Sequence, residues 1–154
     1  MAEFQLPTSS IVQSASMATI DWFEYPVVVH PHHTDYAGVV WHGRYVQWLE
    51  EARIELLKSR GIEFAELVAI GCNLVVVDLT LRYHRPLKMG MKAIVKTRLA
   101  AIEGVKIPIE YEIQSDEVLI LSARVTLVAV DLEKGRILRQ LPQSVQNVLT
   151  KTPE

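Results

Sequence analysis

With a single cysteine, Cys72, the chain forms no internal disulfide, and with no Cys-x-x-Cys pair it has no thiolate set of zinc-binding spacing. A reducing, cytoplasmic setting is the expectation. Long apolar runs are missing too: stretches such as Leu74–Val77 and Val118–Leu121 fall far short of the roughly 18 residues that cross a bilayer, so no membrane insertion is expected. Residues 1–18 hold no Lys or Arg and so lack the basic region of a secretory signal. Glycine and proline number 7 each, too few for a collagen-like or low-complexity chain. Neither charge is in large excess: 16 Lys plus Arg against 18 Asp plus Glu give a net charge of -2, which removes bulk electrostatic attraction to nucleic acid. No Gly-x-Gly-x-x-Gly, Walker or Gly-x-Ser-x-Gly pattern occurs, so dinucleotide-fold and serine-hydrolase chemistry have no support.

The 154 residues, 49% of them hydrophobic, suffice for one core. Residues 1–20 are polar and rich in Ser, Thr and Gln, and are expected to form a flexible arm before a single domain spanning 21–154. Val27, Val28 and Val29, bracketed by Pro26 and Pro31, predict a strand over 23–30. Tyr45, Trp48, Leu49, Ala52 and Leu56 then recur at steps of three and four, predicting one long helix over about 43–60, closed by Gly61. A short helical piece over 63–69 follows.

Beyond Gly71 the period changes to two. Val75, Val77, Leu79, Leu81 and Tyr83 alternate with Val76, Asp78, Thr80, Arg82 and His84. Residues 93–99 alternate likewise, as do Ile107, Ile109, Tyr111 and Ile113, and 118–131 make a long strand. Residues 143–149 suggest a last helical turn. Strand, long helix, then four strands joined by short turns is an α+β order with an antiparallel sheet of about five strands. One helix covers one face, yet Val76, Ile94, Val128 and Val130 put apolar side chains on the nominally polar sides of their strands, so a homodimer or homotetramer is expected.

Residues 30–51 carry four of the five histidines, Asp35, Gly38 and the adjacent Glu50 and Glu51, between a strand and a helix start. A helix N-terminus offers unpaired amides and a positive dipole end that suit a developing oxyanion, and Asp35 just ahead could act as nucleophile or general base. On a helical wheel Glu50 falls between Val46 and Leu57 and beside Ile54, inside a wide apolar arc, while Arg44, Gln47, Glu51 and Lys58 form the solvent stripe. Glu50 is therefore either functional or paired with Arg53 three residues on. His30, His32 and His33 are spaced too closely along one strand-to-loop segment to converge on an ion, and no metal or other cofactor is expected. Trp41, Tyr45 and Trp48 are candidates for packing or for a pocket wall.

His33-Thr34-Asp35-Tyr36-Ala37-Gly38-Val39-Val40-Trp41-His42, with Tyr45 and Glu50-Glu51-Ala52-Arg53, resembles the hotdog-fold acyl-CoA thioesterases of the 4-hydroxybenzoyl-CoA and YbgC-like type. Their signature is an Asp-x-Asp-x-x-Gly-Val-Val-Tyr-His-like stretch, a tyrosine three residues later and an acidic residue with Ala-Arg on the central helix. Arg85-Pro86-Leu87-Lys88-Met89-Gly90 is similar to the family's Arg-Pro-Leu-x-x-Gly turn, and the resemblance spans residues 23–141. It implies a hotdog fold, a sheet wrapped around one long central helix, and hydrolysis of an acyl-CoA, with aromatic acyl groups among the candidates. It also implies Asp35 as the catalytic aspartate, His42 as the position whose amide polarises the thioester carbonyl and whose side chain is implicated in YbgC-like members, and Glu50 as a second acidic residue that acts across a subunit interface or positions water. Tyr36, Gly38, Trp41, Tyr45, Arg85 and Lys88 are the implied substrate-binding positions. Two departures stand out: His33 occupies the place of the motif's first Asp, and Tyr36 replaces a small residue or proline. Acyl carrier protein thioesters, a dehydratase of the same fold and a non-catalytic acyl-CoA-binding module are the alternatives.

Overall fold

The computed structural model describes residues 22–150; the expected arm over 1–20 lies outside them. The chain enters at β1 (Phe23–Val28), turns through a short 3-10 segment at Pro31–His33, and starts the long helix α1 (His42–Ser59). A six-residue helix α2 (Phe64–Ala69) leads into β2 (Cys72–Tyr83), β3 (Lys92–Leu99), β4 (Lys106–Ser115) and β5 (Val118–Asp131). A two-residue strand β6 (Arg136–Ile137) and helix α3 (Gln143–Thr150) finish the described chain. The sheet order is β1-β3-β4-β5-β2, antiparallel throughout, with β6 added on β5. The α+β class and the sheet curled around one helix agree with the sequence, and element bounds differ from expectation by a few residues at most.

The core forms where the apolar stripe of α1 meets the inner face of the sheet. Tyr45, Trp48, Leu49, Ala52, Leu56 and Leu57 are all buried, opposite the period-two set Ile107, Ile109, Tyr111 and Ile113 of β4. Each side chain of this size removed from water contributes about 1.5–3 kcal/mol, so this layer dominates the stability. Packing of α1 is concentrated on β1 and β3. On the outer face, Arg98 and Arg124 share Glu110.

Two bulges alter the expected alternation. In β2 the pairing with β5 slips between Val76 and Asp78, so Val77 is the extra residue. Directly opposed residues on antiparallel strands share a face, and Val76 opposes buried Leu127 while Leu79 opposes buried Val125. Val76 therefore joins the inner face with Leu79, Leu81 and Tyr83, a correction to the strict alternation. Val128, expected uncovered, is buried within the single chain, flanked in register by Val75 and Lys106. Ile94 is exposed on its strand as expected, and Val130 is half-buried.

The second bulge falls between Ile113 and Gln114 on β4, opposite Leu121 and Leu119 on β5, and leaves Ile120 unpaired in the ladder. Its carbonyl accepts from the amides of both His84 and Arg85, at 2.8 and 3.1 Å, and so fixes the end of β2. Among the described residues no helix is long and apolar enough to cross a membrane.

The hairpin between β4 and β5 turns on Asp116 and Glu117, at φ 48° and 63°. Two consecutive left-handed residues define the tight turn that matches strand twist, a conformation that suits Asn-Gly and strains a glutamate. Glu117→Gly is expected to raise stability by about 1 kcal/mol, seen as a higher urea midpoint with an unchanged m-value.

Candidate active site

The Asp35 loop is shaped by its own hydrogen bonds. The Asp35 amide donates to the Val39 carbonyl at 2.8 Å and the Gly38 amide to the Asp35 carbonyl at 3.0 Å, closing a turn that needs Gly38 at φ 77°. Asp35 Oδ1 accepts from the Ala37 amide at 2.9 Å and the Val39 amide at 3.4 Å. Asp35 Oδ2 receives no hydrogen bond among the described residues, so one oxygen is anchored and the other is available.

The loop is fastened to the Arg85–Gly90 turn. Val40 donates to Leu87 at 2.9 Å and Met89 donates to Gly38 at 3.1 Å, while Val39 bridges Lys88. The buried Tyr45 hydroxyl accepts from the Leu87 amide at 3.1 Å, joining the same turn to α1, and burial pushes that hydroxyl's pKa above its ordinary value. Trp41 caps α1 in an extended conformation, its amide donating to His33 at 3.2 Å, and Arg44 donates back to Trp41 at 3.0 Å. That leaves the His42 and Gly43 amides with no acceptor among the described residues.

These parts meet in a cleft of about 610 Å³ lined by Asp35, Trp41, His42, Tyr45 and Arg85, with Val40, Tyr83, His84 and Pro86. Five expected site residues thus share one cavity. Gly38 shapes the loop from behind. Lys88 pairs through its backbone with Val39, and its side chain does not line the cleft. Tyr36 is fully exposed, so in the single chain it narrows nothing.

Glu50 differs most from expectation. Its side chain is 62% exposed and 3.9 Å from Arg53, whereas the wheel placed it facing inward. The wheel's apolar arc has two halves: one meets the sheet, and the other, with Val46 exposed, is left uncovered among the described residues. Glu51, assigned to the solvent stripe, is instead half-buried, held by Arg44 at 3.4 Å and by the Tyr25 hydroxyl at 3.2 Å.

Tyr83 is the site residue that sequence reasoning missed. Its hydroxyl donates to the His42 carbonyl at 2.8 Å, and its ring meets Tyr45 edge-on at a centroid distance of 5.5 Å. The available signal was its place two residues before the Arg-Pro-Leu turn. His33, at the departure from the motif, is 4% exposed; its Nδ1 accepts from the His30 amide at 3.0 Å and its ring sits edge-on to Trp48. The bond closes the loop locally, a role open to either side-chain type.

A sheet curled around one helix, with Asp35 and the first residue of that helix lining one cleft, defines a hotdog-fold protein of the thioesterase class. The chain belongs to the Thioesterase-like superfamily, whose model matches residues 29–149. It is 47% identical over 141 residues to the sll0410 protein of Synechocystis, covering 90% of this chain and 85% of that one. It is 31% identical over 124 residues to the acyl-CoA thioester hydrolase YbgC of Escherichia coli, covering 80% and 92%. Its fold superposes on Slr0204, a 1,4-dihydroxy-2-naphthoyl-CoA thioesterase from Synechocystis, with a TM-score of 0.75 at 24% identity, over 84% of this chain and 96% of that one.

Burial holds the His33 pKa below its ordinary value, helped by Arg44, His32 and His30 and opposed by Glu51. Below pH 6.5 the unfolded chain therefore binds more protons at this position than the folded one, so stability falls as pH drops from 6.5 toward the depressed folded value. The expected slope is at most about 1.4 kcal/mol per pH unit for this one proton. His33→Asn, which keeps an acceptor for the His30 amide, should remove that contribution in urea titrations between pH 5 and 7.5.

Proposed function

We propose that the chain hydrolyses acyl-CoA thioesters to the free acid and coenzyme A, with Asp35, His42 and Glu50 as the catalytic positions. The observation that carries this reading is that Asp35, whose Oδ2 accepts no hydrogen bond among the described residues, lines the same cleft as His42, the first residue of α1, whose amide is unpaired. A carbonyl oxygen against those amides gains the positive end of the α1 dipole, and one such donor is worth about 3 kcal/mol of barrier. The carbonyl carbon is then presented to Asp35, which either attacks it to form an acyl-enzyme anhydride or takes a proton from water that attacks. In the first route coenzyme A leaves as the thiolate and water then hydrolyses the anhydride, releasing the acid, restoring the Asp35 carboxylate and supplying the proton for the thiol; in the second the proton taken by Asp35 passes to the departing sulfur. Arg85 at the cleft mouth supplies the cation for a coenzyme phosphate.

Glu50 works from the partner in a homodimer. Within one chain it lies two helical turns, about 12 Å, along α1 from the His42 amide, too far to act on a carbonyl held there. It continues the stripe of His42 and Val46, whose first member Tyr83 joins to β2. Beside that stripe β2 is a 12-residue edge strand with Val76, Val77 and Leu79 at 46%, 50% and 39% exposure, an arrangement that a second copy of the same edge would cover.

Thiol release from a panel of aromatic and aliphatic acyl-CoAs tests the reaction. Asp35→Asn should lose at least about 10³-fold in kcat, and comparable activity in the variant would remove Asp35 from the mechanism. A non-catalytic module would bind acyl-CoA without releasing thiol. Mixing inactive Asp35→Asn with inactive Glu50→Gln tests the shared site. If Asp35 and Glu50 act across the interface, each mixed dimer keeps one intact site and about a quarter of wild-type activity returns; if both act within one chain, none does.

A further inference from the structure

We infer that Gly43 is a positioning residue for the Trp41 indole and that this pair sets the width of the cleft, and so which acyl groups it accepts. The inference rests on the proposed thioester site and deepens it. Gly43 is the second residue of α1, and its backbone is not in the left-handed region, so no conformational demand calls for glycine there. In a helix glycine is worse than alanine by about 1 kcal/mol. What the missing side chain leaves room for is the six-membered ring of Trp41. A Cβ placed on Gly43 would lie 3.0 Å from Trp41 Cε3 and would overlap Cζ3 and Cη2 outright. The other six glycines all show open space at that position.

The ring is otherwise lightly held. Trp41 is 41% exposed, and its ring meets the His42 ring edge-on at 5.6 Å. It therefore rests on the first turn of α1, next to the two free amides, and forms a wall of the cleft that holds Asp35. A methyl group on residue 43 pushes the ring away from the helix by more than about 1 Å, into the space the substrate would use. The side chain yields more easily than backbone would, so the change costs recognition rather than folding.

Gly43→Ala is accordingly expected to melt at the wild-type temperature or above it, while kcat/KM for benzoyl-CoA relative to hexanoyl-CoA falls by about tenfold, the broad planar group losing more from a narrowed cleft. In a Trp41→Ala background the same Gly43→Ala change should leave that ratio where it was, because the ring it displaces is gone. An unchanged ratio in the single variant, or an equal change in the Trp41→Ala background, overturns the inference. The ring's position is read separately from the indole Nε1–H resonance, assigned with Trp41→Phe: Gly43→Ala must move the Trp41 signal and leave that of buried Trp48 in place. If wild type releases no thiol from either ester, the proposed activity fails while this readout still decides the positioning, and an unmoved Trp41 signal rejects it.

Discussion

The proposed reaction requires the first turn of α1 to sit in a fixed place relative to the Asp35 loop, because an amide can polarise a carbonyl only over hydrogen-bond distance and a carboxylate can attack it only along a narrow approach. The chain meets this demand with bonds from four directions. Trp41 donates to His33, Tyr83 donates to the His42 carbonyl, Leu87 donates to Tyr45, and Val40 donates to Leu87. Two of the four run from backbone to backbone and the other two from a tyrosine hydroxyl to a backbone group, so every one of them ends on the chain path. The Ile120 bulge extends the chain of constraint by fixing the end of β2 through His84 and Arg85.

Asp35 itself is divided in function. Two loop amides hold Oδ1, which orients the carboxylate, while Oδ2 has no donor among the described residues and the residue lines the cleft. A side chain placed this way need not be buried to be well oriented. Burial of neighbouring aromatics then matters differently: Tyr45 and Trp48 anchor the start of α1 in the core, so the site stands on the most buried part of the molecule while its reacting edge stays open.

Much of this was readable from residue order. The step of three and four from Tyr45 to Leu56 and the step of two from Ile107 to Ile113 each came from one face meeting one core, and both appear as expected. Asp35, Trp41, His42 and Tyr45 could be grouped because they follow one another through a loop into a helix. Three features could not be read. A helical wheel reports an apolar arc and cannot divide it between this chain's sheet and an absent surface, which is why Glu50 was turned the wrong way. The bulge at Val77 carries no composition signal, since Val75, Val76 and Val77 are the same residue type and only the pairing with β5 reveals which is extra. Tyr83 meets His42 across 41 positions, a contact that no local period encodes.

The uncovered features lie together, and that juxtaposition bears on how activity and assembly are linked. Tyr83 belongs both to the cleft and to the edge strand β2, and through the His42 carbonyl it touches the turn that carries the free amides. Any partner that pairs with β2 therefore acts on the strand that steadies the helix start, as well as covering Val76, Val77 and Leu79. Association would do two things with one contact: remove apolar surface from water, and tighten the geometry on which the oxyanion site depends. In the proposed homodimer, a contact on this edge would therefore reach the helix start through Tyr83 as well as bring in the partner's carboxylate.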